Sequence, residues 1–169
     1  EEGSVSTIYI NHPEPPTQLF GADSYNLELI MNGGSEPAHM ISSQMIRAAA
    51  KCLSKCESSR LVIVTDNKWY GRLICATLVK VMRSDREVLF PVALGAEFRQ
   101  SEIFPVESTS CDEQVVLYEG QPNDTIGHPG QDNTDPKGAT YFDRLWRSGA
   151  GTYADKSLRY IVVASPKHQ

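Results

Sequence analysis

The sequence predicts an α/β domain, a single unit with a mainly parallel four-stranded sheet and helices on both faces. Three observations predict it. Leu61–Val64 is a continuous apolar, mostly β-branched run of the kind found in strands buried on both sides. From Tyr70 to Arg83 the apolar residues Leu73, Ile74, Leu78, Val81 and Met82 recur at helical spacing, with Arg72, Lys80 and Arg83 on the opposite face. Further short apolar runs at 87–93, QVVLY at 114–118 and LRYIVVA at 158–164 supply the remaining strands. A strand, a helix and a second strand in succession form a crossover unit, which makes its two strands parallel.

The elements can be justified in chain order. Residues 1–24 are expected to be a loose extension, apart from a short edge strand over 6–10, because three prolines in NHPEPPTQ break regular structure. The domain proper is placed at 25–169. Tyr25, Leu27, Leu29 and Met31 alternate with Asn26, Glu28 and Ile30, which reads as a strand. Ser42 or Ser43 is a suitable cap for a helix over 43–56, whose inner face would carry Met45, Ile46, Ala49, Cys52, Leu53 and Cys56. The strand at 60–65, the helix at 70–83 and the strand at 87–93 follow. Residues 98–106 offer only a weak extension, since Pro105 cannot donate to a central ladder. After the strand at 114–118 comes a polar loop, 119–138, whose one large apolar side chain is Ile126. A loop this long is usually functional or disordered, and its composition favours disorder. A helix over 139–148 and the strand at 158–164 complete the order.

The 169 residues suffice for one domain with a real core, and 40% hydrophobic with 22% charged residues is ordinary for a globular chain. No apolar run approaches the ~20 residues of a membrane span, so no membrane contact is expected. A start without Met reads as a piece excised from a larger protein. Charge is segregated along the chain. Residues 1–42 carry six acids and no Lys or Arg, 43–100 carry ten bases and five acids, and 101–169 carry six bases and ten acids. The positive middle could meet phosphate or an acidic partner, or simply be a solvated helix surface. The four cysteines form no disulfide or zinc framework: Cys52 and Cys56 lack a second ligand pair, and Cys75 reads as a small core residue. That fits a reducing compartment, and neither a metal nor a cofactor is expected.

Several chemistries lack their motifs. The turn after the first long strand, TDNKWYG, is not a glycine-rich phosphate loop, and no G-x-S-x-G elbow occurs. His12, His39, His128 and His168 fall in loops or at the chain end, without an evident nucleophile or acid partner. Asp66 stands at a strand exit, where open α/β sheets bind ligands, but it and Asn67 equally suit a helix cap. No catalytic residue is assigned.

The element order resembles a BRCT domain over residues 60–165. RLVIVT ends in Thr65, as the first strand of that family ends in Ser or Thr, although Asp66 stands where the family's Gly would be. Lys137, in TDPKGATYFDRLW, lies just before a helix whose start carries a phosphate-binding Lys in that family. The family's final helix has no counterpart, since only SPKHQ follows Ala164. A weaker resemblance links MISSQMIRAAAKCLSK to the opening helix of YjeF N-terminal-like domains. The BRCT resemblance implies a phosphopeptide-binding, non-catalytic interaction module of an intracellular, nuclear, chromosome-associated protein, with Thr65 and Lys137 at the phosphate. Lys68, at the start of the helix after Thr65, where unpaired N–H groups and the helix dipole favour an anion, is expected to add charge there. Two alternatives stand beside it. One is a small-molecule or nucleotide-binding Rossmann-like enzyme using Asp66. The other is nucleic-acid contact through a basic face of Arg47, Lys51, Lys55 and Arg72, with Lys68.

Overall fold

A computed structural model describes residues 3–16, 26–86, 88–107, 113–120, 126 and 159–167. The elements are β1 (Thr7–Asn11), α1 (Leu27–Met31), α2 (Ser43–Cys52), β2 (Arg60–Thr65), α3 (Lys68–Ser84), β3 (Leu89–Pro91), β4 (Arg99–Pro105), β5 (Gln114–Gly120) and β6 (Arg159–Pro166). The chain is α/β in composition, and its strands form one open sheet. The order across it is β1-β2-β6-β5-β4, with β3 pairing on β6 beside β5.

The expectation of four mainly parallel strands is corrected by this sheet. Among the described residues it has six strands, and only the β1–β2 ladder is parallel. The other four ladders, β2–β6, β3–β6, β4–β5 and β5–β6, are antiparallel. The reason is the position of the last strand. β2 and β3 do run the same way, as a strand–helix–strand unit requires, but β6 lies between them and runs against both. β4 and β5 are joined by a short connection, which favours a hairpin-like antiparallel pair. Apolar runs identify buried strands without specifying their neighbours, so order and direction were not readable from them. This sheet also differs from the four-stranded parallel sheet that the BRCT resemblance implies.

Side chains alternate across the sheet. Leu61, Ile63, Val115, Leu117, Val162 and Ala164 join a core with the three helices, including Leu73, Ile74 and Leu78 of α3 and Ile46 of α2. Val62, Val64, Val116, Tyr118, Ile161 and Val163 point the other way and pack with Phe98 and Ile126. The described helices therefore all lie on one face, with α1 and α2 packed on α3. The expected helix at 139–148, Lys137 and most of the 119–138 loop lie outside the described residues.

Two local expectations change. Residues 25–31 were expected to be a strand, but Leu27–Met31 is a helix, its start fixed by Leu29 N–H donating to Asn26 Oδ1 at 3.0 Å. In so short a segment Leu27, Ile30 and Met31 fit a helical face as well as an alternating one, and the Asn cap decides. The helix expected over 43–56 ends at Cys52, with Leu53 as its extended C-cap, so Cys56 lies beyond it and does not share a helix face with Cys52. The edge strand expected at 6–10 is present as β1, beside β2. Residues 98–106 yield β4, which forms the opposite end of the strand order with Pro105 as its last residue.

Candidate functional site

Two clusters of charged side chains stand at opposite ends of the sheet. The first is at the carboxyl end of β2. Register places Tyr160 opposite Thr65 on β2 and opposite Glu119 on β5, and Glu119 opposite Arg99 on β4, in one row beneath the start of α3. Thr65 is buried and its hydroxyl accepts the Asn67 N–H at 3.2 Å. Asn67 in turn caps α3, its Oδ1 accepting the Tyr70 N–H at 3.0 Å. The capping role open to Asp66 and Asn67 thus belongs to Asn67. Lys68 reaches along the row, with its ammonium 3.6 Å from a Glu119 carboxylate oxygen and 6.0 Å from the centre of the Tyr160 ring.

Glu119 is the centre of this cluster. It is 4% exposed, accepts the Ser101 hydroxyl at 2.7 Å and pairs with the Arg99 guanidinium. The Ser101 hydrogen bond, with the help of Arg99 and Lys68, holds its carboxyl below the ordinary glutamate range despite burial. Burial, with the Glu119 charge, pushes the Tyr160 phenol up. Chemically this is a satisfied ionic clasp joining β4, β5 and α3. A second anion brought to Thr65 and Lys68 would meet the Glu119 carboxylate already there.

The second cluster is a groove of about 560 Å³ between α2 and the far end of the sheet, where β3 meets the end of β6. Arg47, Lys51, Lys55 and Lys167 line it, with Asp85 as the one acidic lining residue among the described residues. Ala50, Leu53, Val88 and Pro166 give it an apolar floor. Helical spacing sets Arg47 and Lys51 one turn apart on α2, and the chain leaving the helix carries Lys55 to the same groove. Arg47 is held in place, donating to Ser84 Oγ at 2.7 Å and to the Ser43 carbonyl at 3.5 Å. Among the described residues no carboxylate lies within ion-pair distance of Lys51, Lys55 or Lys167. The carbonyls of Lys51 and Cys52 accept the N–H groups of Gly3 and Val5 at 3.0 and 3.1 Å, so these helix-end acceptors are already occupied.

No family model, curated protein or solved structure gives a significant match to this chain.

Its chemistry has therefore to be read from its own side chains. Of the basic face expected from the sequence, Arg47, Lys51 and Lys55 come together in the groove. Arg72 does not line it; its Nε is 2.9 Å from Glu102, tying α3 to β4. Lys68 belongs to the clasp, and Lys137 lies outside the described residues. Sequence reading did not single out Lys167 or Glu119. Lys167 joins the groove only through the pairing of Pro166 with Leu89, which no local pattern encodes. Glu119 was placed at the start of a polar loop, but the two-residue period of Val115 and Leu117 continues onto it. Cys75 is fully buried, and burial raises its thiol well above the ordinary range. Cys56 is exposed, and hydroxyls of Ser54, Ser58 and Ser59 bring its thiol down to about 6. His39 is half-buried, its ring edge-on to Tyr70 with a centroid separation of 5.7 Å, and burial lowers its pKa. Among the described residues no three His, Cys, Asp or Glu gather as a metal site, and no helix is long and apolar enough to cross a membrane.

Proposed function

We propose that this chain is a non-catalytic interaction module of a larger intracellular protein, and that it binds a phosphorylated segment of a partner in the groove beside α2. The observation that supports this reading is the charge of the groove, which among the described residues is lined by four cationic side chains and a single carboxylate. Charge-assisted hydrogen bonds to a phosphate contribute about 1.5–3 kcal/mol each, so two lysines with favourable geometry are enough for a specific, modest affinity. The groove is favoured over Thr65 and Lys68 because the buried Glu119 already neutralises Lys68.

The test is titration of matched phosphorylated and unphosphorylated peptides against the native chain and against Lys51→Glu with Lys55→Glu. Phosphorylated peptides should bind at least about tenfold more tightly than their unmodified forms, a difference of 1.4 kcal/mol. The double substitution should remove that preference. Equal binding of both peptide forms, or binding indifferent to the two lysines, overturns the reading. An oligonucleotide that outcompetes every peptide, with a steep salt dependence, would favour nucleic-acid contact through the same basic face.

A further inference from the structure

The groove is not uniformly charged, and this narrows its ligand. Leu53 and Pro166 are buried and Val88 is half-buried, so the floor is aliphatic and continuous with the core end of the sheet. Lys51 and Lys55 are exposed and belong to the rim. A bare phosphate would engage the rim and leave the half-buried Ala50 and Val88 uncovered. A polynucleotide strand would bring several phosphates and bases, yet among the described residues no aromatic side chain lines the groove to stack a base. A volume of about 560 Å³ lies in the range of compact ligand sites, which commonly pair an apolar lining with a few polar anchors.

Building on the phosphate reading above, we infer that the groove takes a phosphomonoester on an apolar, ring-sized stem, as in a phosphotyrosine side chain. The stem lies over Ala50 and Val88, with the buried Leu53 and Pro166 behind them, and the dianionic phosphate meets Lys51 and Lys55. Phosphoserine has a single methylene between backbone and phosphate. With its phosphate at the rim it cannot cover the floor.

The experiment uses the native chain with inorganic phosphate, phenyl phosphate, and phosphotyrosine, phosphoserine and unmodified versions of one peptide. A short single-stranded oligonucleotide is the competitor. The expected result is that phenyl phosphate binds about tenfold or more tightly than inorganic phosphate, and phosphotyrosine peptide about tenfold or more tightly than phosphoserine peptide, from burial of the ring. Val88→Ser should shrink both ratios, and Lys51→Ala with Lys55→Ala should weaken all phosphate ligands. Equal affinities for inorganic and phenyl phosphate overturn the stem requirement while leaving phosphate binding intact. Absence of phosphate-dependent binding overturns both readings. Tighter binding of the oligonucleotide than of the phosphotyrosine peptide overturns the choice of ligand. The ligand comparison on the native chain decides the question even if the Val88 variant folds poorly.

Discussion

Glu119 shows what a buried charge does for this molecule. Its carboxylate is satisfied by Ser101, Arg99 and Lys68, and the folded state favours its ionised form. A carboxyl with a lowered folded pKa contributes stability that is fully present above its unfolded value. That contribution is lost as pH falls through the folded one. Glu119→Gln keeps the shape and one acceptor but removes the charge. It should cost about 1–3 kcal/mol at neutral pH, the scale of a charged hydrogen bond lost from a site with one exposed partner. The penalty should shrink as pH falls below the ordinary glutamate range of about 4.3, because the unfolded chain then binds a proton that the folded carboxylate takes up only at lower pH. Chemical denaturation of both proteins between pH 7 and pH 3 tests this. A gap that stays constant over the whole range would mean that shape, not charge, holds the clasp.

At the scale of elements, α3 sits unusually close to the sheet at Gly71. A Cβ there would lie 2.8 Å from Leu117 Cδ1 and 3.4 Å from Tyr160 Cβ. Leu117 is fully buried and cannot swing away, so Gly71→Ala should destabilise by about 1–3 kcal/mol through overpacking. The better helix propensity of Ala would return up to about 1 kcal/mol of that. A thermal midpoint equal to or above that of the native protein would show that α3 can lift off the sheet without loss. This contact also explains how far the sequence could be read. β2 was legible to the residue, because Leu61–Val64 is apolar on both faces and Thr65-Asp66-Asn67 ends it. α3 was legible because its period is long, although its start came out later than the observed Lys68 because Asn67, not the first apolar residue, sets it. α1 was misread because five residues cannot separate a period of 2 from one of 3.6. The antiparallel order was illegible because it depends on β6 arriving between β2 and β5, a long-range choice that no window of sequence records. The groove was half legible: Arg47, Lys51 and Lys55 follow from one helix and its exit, whereas Lys167 reaches them through tertiary pairing alone.

At the scale of the whole molecule, positive charge is concentrated although the net charge is −5. Two opposing effects act on Lys51 and Lys55. A cation near the end of a helix gains about 0.3–1 kcal/mol from the dipole, and Lys51 lies in the last turn of α2. Against this, like charges sharing a small groove repel, by up to about 1 kcal/mol for each close pair in water and over a Debye length of about 8 Å at physiological salt. The dipole gain is reduced here because Gly3 and Val5 already occupy the carbonyls of Lys51 and Cys52. Lys51 and Lys55 share the groove with Arg47 and Lys167, so repulsion should win. Lys51→Gln with Lys55→Gln should therefore raise the thermal midpoint by roughly 1–4 °C at low ionic strength. The gain should fade as salt is raised, because screening already relieves the native protein. Binding sites commonly keep such locally unfavourable charge, and a stabilising substitution there is expected to cost function. Scanning calorimetry of native and doubly substituted protein from low to high salt decides between the two effects. A midpoint that falls on substitution would make these lysines part of the scaffold of α2 and remove the energetic argument for a ligand at the groove.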